Sequence, residues 1–185
     1  QKITLTDGAE TKEIQGEKIF INTGSETAIP PIEGLESVPY LTSTSIMDLE
    51  KTPDHLLIIG GGYIGLEFAQ MFRRFGSKVT ILDKASRLVP KEDVDVCEEI
   101  SKIFNRTDIQ TIFNATILKV KEANGIITLK YKNPSGSHQL TGSHLLVAVG
   151  RNPSSGDLGL EGIGVKKTKE NFVQVNENIH VKSVI

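Results

Sequence analysis

The sequence predicts an α/β fold, a parallel sheet with helical crossovers and an inserted antiparallel β-meander. Three features carry that reading. HLLII, residues 55–59, is apolar without alternation, as a strand covered on both faces must be. Ile64, Phe68, Met71, Phe72 and Phe75 then recur at helical spacing before Gly76, and KVTILD comes next as a second strand. Further on, ILKVKEANGIITLKYKNPSGSHQL alternates around Asn124-Gly125, a strong two-residue hairpin signal.

From the N-terminus, KITL and EKIFIN are β-like runs separated by Asp7-Gly8 and Gly16, and Pro30 and Pro31 interrupt regular pairing. Residues 1–35 are therefore expected to form a unit separate from the segment that begins at residue 36. STSIMDL offers a capping Ser or Thr before a short helix, and Pro53 closes the approach to the first buried strand. After KVTILD come a helix expected around residues 92–105, a third strand near IQTIF and the meander. HLLVAVGRNP then reads as another buried strand ending in glycine.

Composition narrows the function classes. The 185 residues include 21 Lys and Arg against 23 Asp and Glu, so the near-balance argues against a nucleic-acid or membrane-surface protein. No apolar run reaches the roughly 18 residues of a membrane span. QKITLTDGAE lacks the basic start and apolar middle of a signal peptide. The absence of an initiator Met and the start in mid-pattern lead us to expect a piece of a longer chain. Cys97 is the single cysteine, which rules out an internal disulfide or a cysteine metal cluster, and a cytoplasmic location is expected. It lies in VDVCEEISKIF, where Val96, Cys97, Ile100, Ile103 and Phe104 recur at helical spacing; with Glu98 and Glu99 adjacent, inert packing is expected. No metal site is expected.

The chemistry-bearing feature is LLIIGGGYIGLEFAQ, residues 56–70. Gly60, Gly62 and Gly65 fit G-x-G-x-x-G directly after a strand and at a helix start, and Asp83 ends the next strand 23 positions after Gly60. That is a Rossmann-like dinucleotide unit. Gly60 suits the tight turn, Gly62 the approach of a pyrophosphate and Gly65 close helix packing, and Gly61 and Ile64 are counted with them as cofactor-binding residues. The helix start supplies N–H groups and partial positive charge. Asp83 would accept hydrogen bonds from the adenosine ribose and repel an added phosphate, favouring NAD(H). Lys84 and Arg87 leave NADP(H) open. The competing readings are a glycine turn that serves packing alone and a solvated Asp83.

The order IFINTGSETAIPPIEG, IIGGGYIGLEFA with VTILD, then LLVAVGRNP resembles the pyridine nucleotide-disulfide oxidoreductases, flavoproteins with two dinucleotide-binding domains. The resemblance covers nearly the whole chain, within it closest to the mercuric-reductase-like and reactive-chlorine-resistance branch. Asn22 departs from the Ala usual in the first turn. The resemblance implies that residues 1–35 end a first FAD-domain segment, 36–153 form the NAD(P)-binding domain and 154–185 return toward the FAD domain. By the same resemblance, Tyr63 is an aromatic gate over the flavin and Glu67 a contact to the nicotinamide carboxamide. Gly150 would border NAD and Ile117 the adenosine. Thr23, Gly24 and Ser25 would line FAD, and Arg151 would point toward it.

Family members also carry an FAD fingerprint, a redox cysteine pair, a Gly-Asp motif and a C-terminal dimerisation domain, none of which appears in these residues. The implied function is an NAD(H)-binding domain that positions nicotinamide for hydride transfer to FAD. Its partners would be its own FAD and dimerisation domains in a homodimer, and the piece alone would not turn over. A stand-alone module that senses dinucleotide without redox activity is the alternative.

Overall fold

The computed structural model describes residues 2–181. They form two compact units, one of the residues up to Ser25 and from Pro153 onward, the other of Glu26–Asn152. In the first, β1 (Lys2–Asp7) and β2 (Glu10–Gln15) make an antiparallel hairpin that turns at Asp7-Gly8, where Gly8 has φ +57°. EKIFIN, expected as a strand, forms none: Phe20 is 88% exposed, and no described residue pairs with this stretch. A strand's N–H and C=O groups need a partner, and high β-propensity does not substitute for one. In the return segment a 3-10 turn over Leu160–Ile163 lies between Gly159 and Gly164, both at positive φ, and Ser155 donates to the Asn171 carbonyl at 2.8 Å. Positions 182–185 of that segment lie outside the described residues.

The chain enters the larger unit through β3 (Ser25–Thr27) and continues through β4 (Tyr40–Leu41) and a 3-10 turn at Ser45–Asp48. Thr44, the N-cap of that turn, makes no side-chain cap bond; the oxygen at its start is that of Thr42, one residue before STSIMDL, which accepts from the Thr44 and Ser45 N–H groups. Next come β5 (His55–Ile59), α1 (Tyr63–Arg74), β6 (Lys78–Leu82), α2 (Val94–Arg106) and β7 (Gln110–Ile112). The meander is β8 (Thr116–Ala123), β9 (Ile126–Asn133) and β10 (Gly136–Gly142), and β11 (His144–Val147) and β12 (Arg151–Pro153) complete the strands. The main sheet has the order β4-β11-β5-β6-β7 with every neighbouring pair parallel.

The apolar strands are explained by three layers. Leu56 and Ile58 of β5 pack with Leu66, Ala69 and Phe72 of α1 and Cys97 and Phe104 of α2. Leu57 and Ile59 point the other way, into Val120, Ile127, Leu129 and Tyr131 of the meander. The meander thus covers the face that helices cover in a doubly wound sheet, so β5 is buried on both sides and shows no alternation. Its first hairpin turns at Asn124 and Gly125, with φ +54° and +76°, as the dipeptide requires.

The helices differ in detail from their periodicity. In α1 the buried residues are Gly65, Leu66, Ala69 and Phe72, with Ile64, Phe68 and Met71 only partly buried and Phe75, past the last turn, 60% exposed. Small Gly65 and Ala69 let the helix approach the sheet, so the contact stripe is rotated from the large side chains. Gly76 ends the helix at φ +101°. In α2, Cys97 is buried and its thiol donates to the Val89 carbonyl at 3.3 Å, while Val96 and Ile103 remain exposed.

Candidate functional site

The first bend after β5 is fixed by what surrounds each glycine. A Cβ on Gly60, at φ +112°, would lie 2.3 Å from the Ala148 carbonyl oxygen, because β5 and β11 run side by side and their ends touch. Gly61 donates its N–H to Asp83 Oδ2 at 2.5 Å and accepts the Val89 N–H at 2.9 Å; a Cβ there would meet Leu88. Gly65 presses α1 onto the turn, since its Cβ would stand 2.1 Å from the Gly60 carbonyl oxygen. Gly62 alone of these four faces open space, with nothing within 4 Å of a Cβ. It is also the N-cap of α1, and the ladder begins with Leu66 donating to its carbonyl. The N–H groups of the first turn before Leu66 therefore have no partner within the helix.

Beside Gly62 opens a cleft of about 640 Å3. It lies at the carboxyl ends of the parallel strands, where the chain order reverses between β5 and β11, the place where open α/β sheets bind ligands. Of the residues singled out from the sequence, Gly60, Gly62, Tyr63 and Ile64 line it from β5 and α1, Asp83 and Lys84 from β6, Ile117 from β8 and Gly150 after β11. Gly150 has φ +147°, and its carbonyl accepts the Ala28 N–H at 3.0 Å.

Others sit elsewhere. Gly61 and Gly65 shape the turn from behind. Glu67 is exposed on a smaller groove of about 240 Å3 between α1 and α2, shared with Tyr63, Gln70 and Ile103. The Arg151 guanidinium lies 3.3 Å from Ser43 Oγ, to which it donates, and does not line the cleft. Thr23, Gly24 and Ser25 belong to the other unit, where the Gly24 carbonyl accepts the Ser154 N–H.

Asp83 holds the site together as well as lining it. Its Oδ2 takes the Gly61 N–H and its Oδ1 the Ala85 N–H at 2.7 Å. A carboxylate has about four acceptor positions, so roughly two remain for hydroxyl donors in the cleft. Lys91 also lines the cleft and was missed from the sequence. It lies beyond Asp83 in a loop that doubles back, and the Val89 N–H bond to Gly61 that returns it has no sequence signature. The Tyr63 hydroxyl donates to the Glu92 carboxylate, which raises the phenol above its ordinary 10.0.

A family model described as pyridine nucleotide-disulphide oxidoreductase matches residues 1–184. The chain belongs to that family. A probable pyridine nucleotide-disulfide oxidoreductase, RclA of Escherichia coli K12, is 40% identical over 91% of this chain and 37% of its own length. The mercuric reductase of Streptomyces lividans is 41% identical over 95% of this chain and again 37% of its own length. Among solved structures, a Cu(II) complex of the HOCl-induced flavoprotein disulfide reductase RclA from E. coli superposes with a TM-score of 0.89 and 37% identity, over 98% of this chain and 41% of that one. LpdA from Mycobacterium tuberculosis gives 0.84 at 26% identity, over 98% and 39%. The chain therefore spans about two fifths of the length of these relatives. The likeness to RclA and mercuric reductases agrees with the branch that the sequence resembles, and these relatives are oxidoreductases by name. Among the described residues no helix is long and apolar enough to cross a membrane.

Proposed function

We propose that this chain is the NAD(H)-binding domain of a flavin-dependent pyridine nucleotide-disulfide oxidoreductase. The observation that carries the reading is the open space at Gly62, at the N-terminus of α1 and at the reversal point of the sheet. A pyrophosphate there would receive backbone N–H groups and the helix's partial positive charge. Asp83 would take the adenosine ribose with its remaining acceptor positions, and Ile117 would pack on the adenosine. Tyr63, Ile64 and Gly150 would border the other half of the dinucleotide, with Glu67 beside Tyr63 on the same helix.

In the longer protein, FAD would accept hydride from the nicotinamide. The residues of this chain would bind and orient the dinucleotide so that the two rings meet, a positional contribution to rate. Thr23 to Ser25 and Arg151 would face the flavin. By the family resemblance, the longer protein would be a cytoplasmic homodimer.

Calorimetry of the chain with NADH tests the reading. Gly62→Val puts a side chain into open space at an extended φ of −83°, so folding should survive. Affinity should fall by about tenfold or more, which is about 1.4 kcal/mol. Equal affinity in the variant would show that the pyrophosphate sits elsewhere.

A further inference from the structure

Tyr63 is the first residue of α1 and lines both the cleft and the groove beside α2. Its side chain is 60% exposed, so packing alone does not decide which way the ring leans. The Glu92 carboxylate decides it by accepting the phenol O–H. Glu92 is itself held by its backbone: its N–H donates to the Val89 carbonyl at 2.9 Å. Val89 in turn is tied to Gly61 and is 3% exposed at φ +41°, a conformation that a β-branched residue keeps only when its surroundings enforce it. The acceptor is thus carried on an anchored loop, and the bond ties the ring, which borders both the cleft and the groove, to the segment that leads into α2.

We propose that Glu92 is a positioning residue that holds the Tyr63 ring on the α2 side, keeping the cleft beside the α1 N-terminus open to the nicotinamide half of a dinucleotide. This rests on the reading of the cleft as an NAD(H) site. Releasing the ring would let it populate positions over the cleft, and apparent affinity falls in proportion to the loss of the open population. The adenosine half, at the β6 and β8 end, would not be affected. The titratable or charged groups around the phenol are Glu92, Cys97 and Glu67, with Lys84 and Lys91 also lining the cleft.

The test compares Glu92→Gln, Glu92→Ala and Tyr63→Phe in the full chain, with NADH and ADP as separate calorimetric probes. Glu92→Ala should weaken NADH by roughly threefold or more while leaving ADP unchanged. Glu92→Gln, which keeps an acceptor oxygen, should fall between. Tyr63→Phe should show the same loss, and adding Glu92→Ala to it should cost nothing further. The chain has three tyrosines and no tryptophan, so ultraviolet titration can follow the phenols directly. The raised phenol should return toward its ordinary range in Glu92→Ala, a change that a purely structural role for Glu92 would not produce. Unchanged NADH affinity in a variant that still binds ADP overturns the proposal, as does a loss that persists in the Tyr63→Phe background. If the wild-type chain binds neither NADH nor ADP, the dinucleotide reading falls first and the proposal falls with it.

Discussion

A Cβ at Gly60 or Gly65 would lie 2.3 or 2.1 Å from a backbone carbonyl oxygen, whereas one at Gly62 would touch nothing. Backbone cannot move aside as a flexible side chain can. Gly60→Ala and Gly65→Ala are therefore expected to lower folding stability by about 2 kcal/mol or more in urea titrations. Gly62→Val, which meets no atom but is a poorer N-cap, should cost less, about 0.5–1 kcal/mol. The spacing G-x-G-x-x-G made the tight turn at Gly60 and the close helix packing at Gly65 legible, whereas the pyrophosphate at Gly62 belongs to the proposed complex. A Cβ at Gly61 would meet Leu88 and Asp83. Asp83 carries a second expectation at this scale. Asp83→Asn retains one acceptor but exchanges the other for an amide that cannot receive an N–H, so stability should fall by about 1–2 kcal/mol. Asp83→Ser should also raise NADPH affinity relative to NADH, measured by calorimetry with each; an unchanged ratio would argue against a ribose contact. The sequence pointed to Asp83 through its position at a strand end, and could not show that its carboxylate also ties two backbone segments together.

Among the strands and helices, the main sheet was legible because burial on both faces leaves a composition signature: HLLII, KVTIL and HLLV are all nearly continuous apolar runs. The meander was legible through Asn124-Gly125. EKIFIN was misread because a strand is a property of a pair, and α1's buried stripe was misjudged because Gly65 and Ala69 control how closely the helix can approach. The end of the sheet opposite the cleft gives a pH expectation. The Thr80 hydroxyl donates to Gln110 and lies 2.9 Å from His55 Nε2. Burial, with the Lys78 cation as the smaller cause, holds the His55 imidazole below its ordinary 6.5. The unfolded chain then takes up the proton more readily than the folded one, so this contribution is fully present above 6.5 and is lost as pH falls below it toward the lowered value. Urea midpoints measured on both sides of 6.5 should fall on acidification, and His55→Gln should flatten that dependence. A variant with the same slope as the wild type would place the proton uptake elsewhere.

For the molecule as a whole, the proposed binding is concentrated where the carboxyl ends of three strands of the parallel sheet, β5, β6 and β11, meet the meander. The cleft draws residues from positions 60, 83 and 150, brought together by the parallel order of β5, β6 and β11, and from position 117 on the meander that packs against them. The glycine motif and the strand-end acid pointed to Gly60, Gly62 and Asp83 and the family resemblance to Tyr63, Ile117 and Gly150, while Pro30, Ile32, Lys91, Ala115 and Thr116, on connecting segments or at the start of β8, carry no sequence signal. In the proposed complex a dinucleotide lies across this cleft with its pyrophosphate at Gly62. Amide chemical-shift mapping of the isotopically labelled chain during an NADH titration reads that placement residue by residue. The largest shifts are expected at Gly62, Tyr63 and Ile64, with accompanying changes at Asp83, Lys84, Ile117 and Gly150 and none at the hairpin of β1 and β2. Saturable shifts that avoid the start of α1, or no shifts at millimolar NADH, would contradict it.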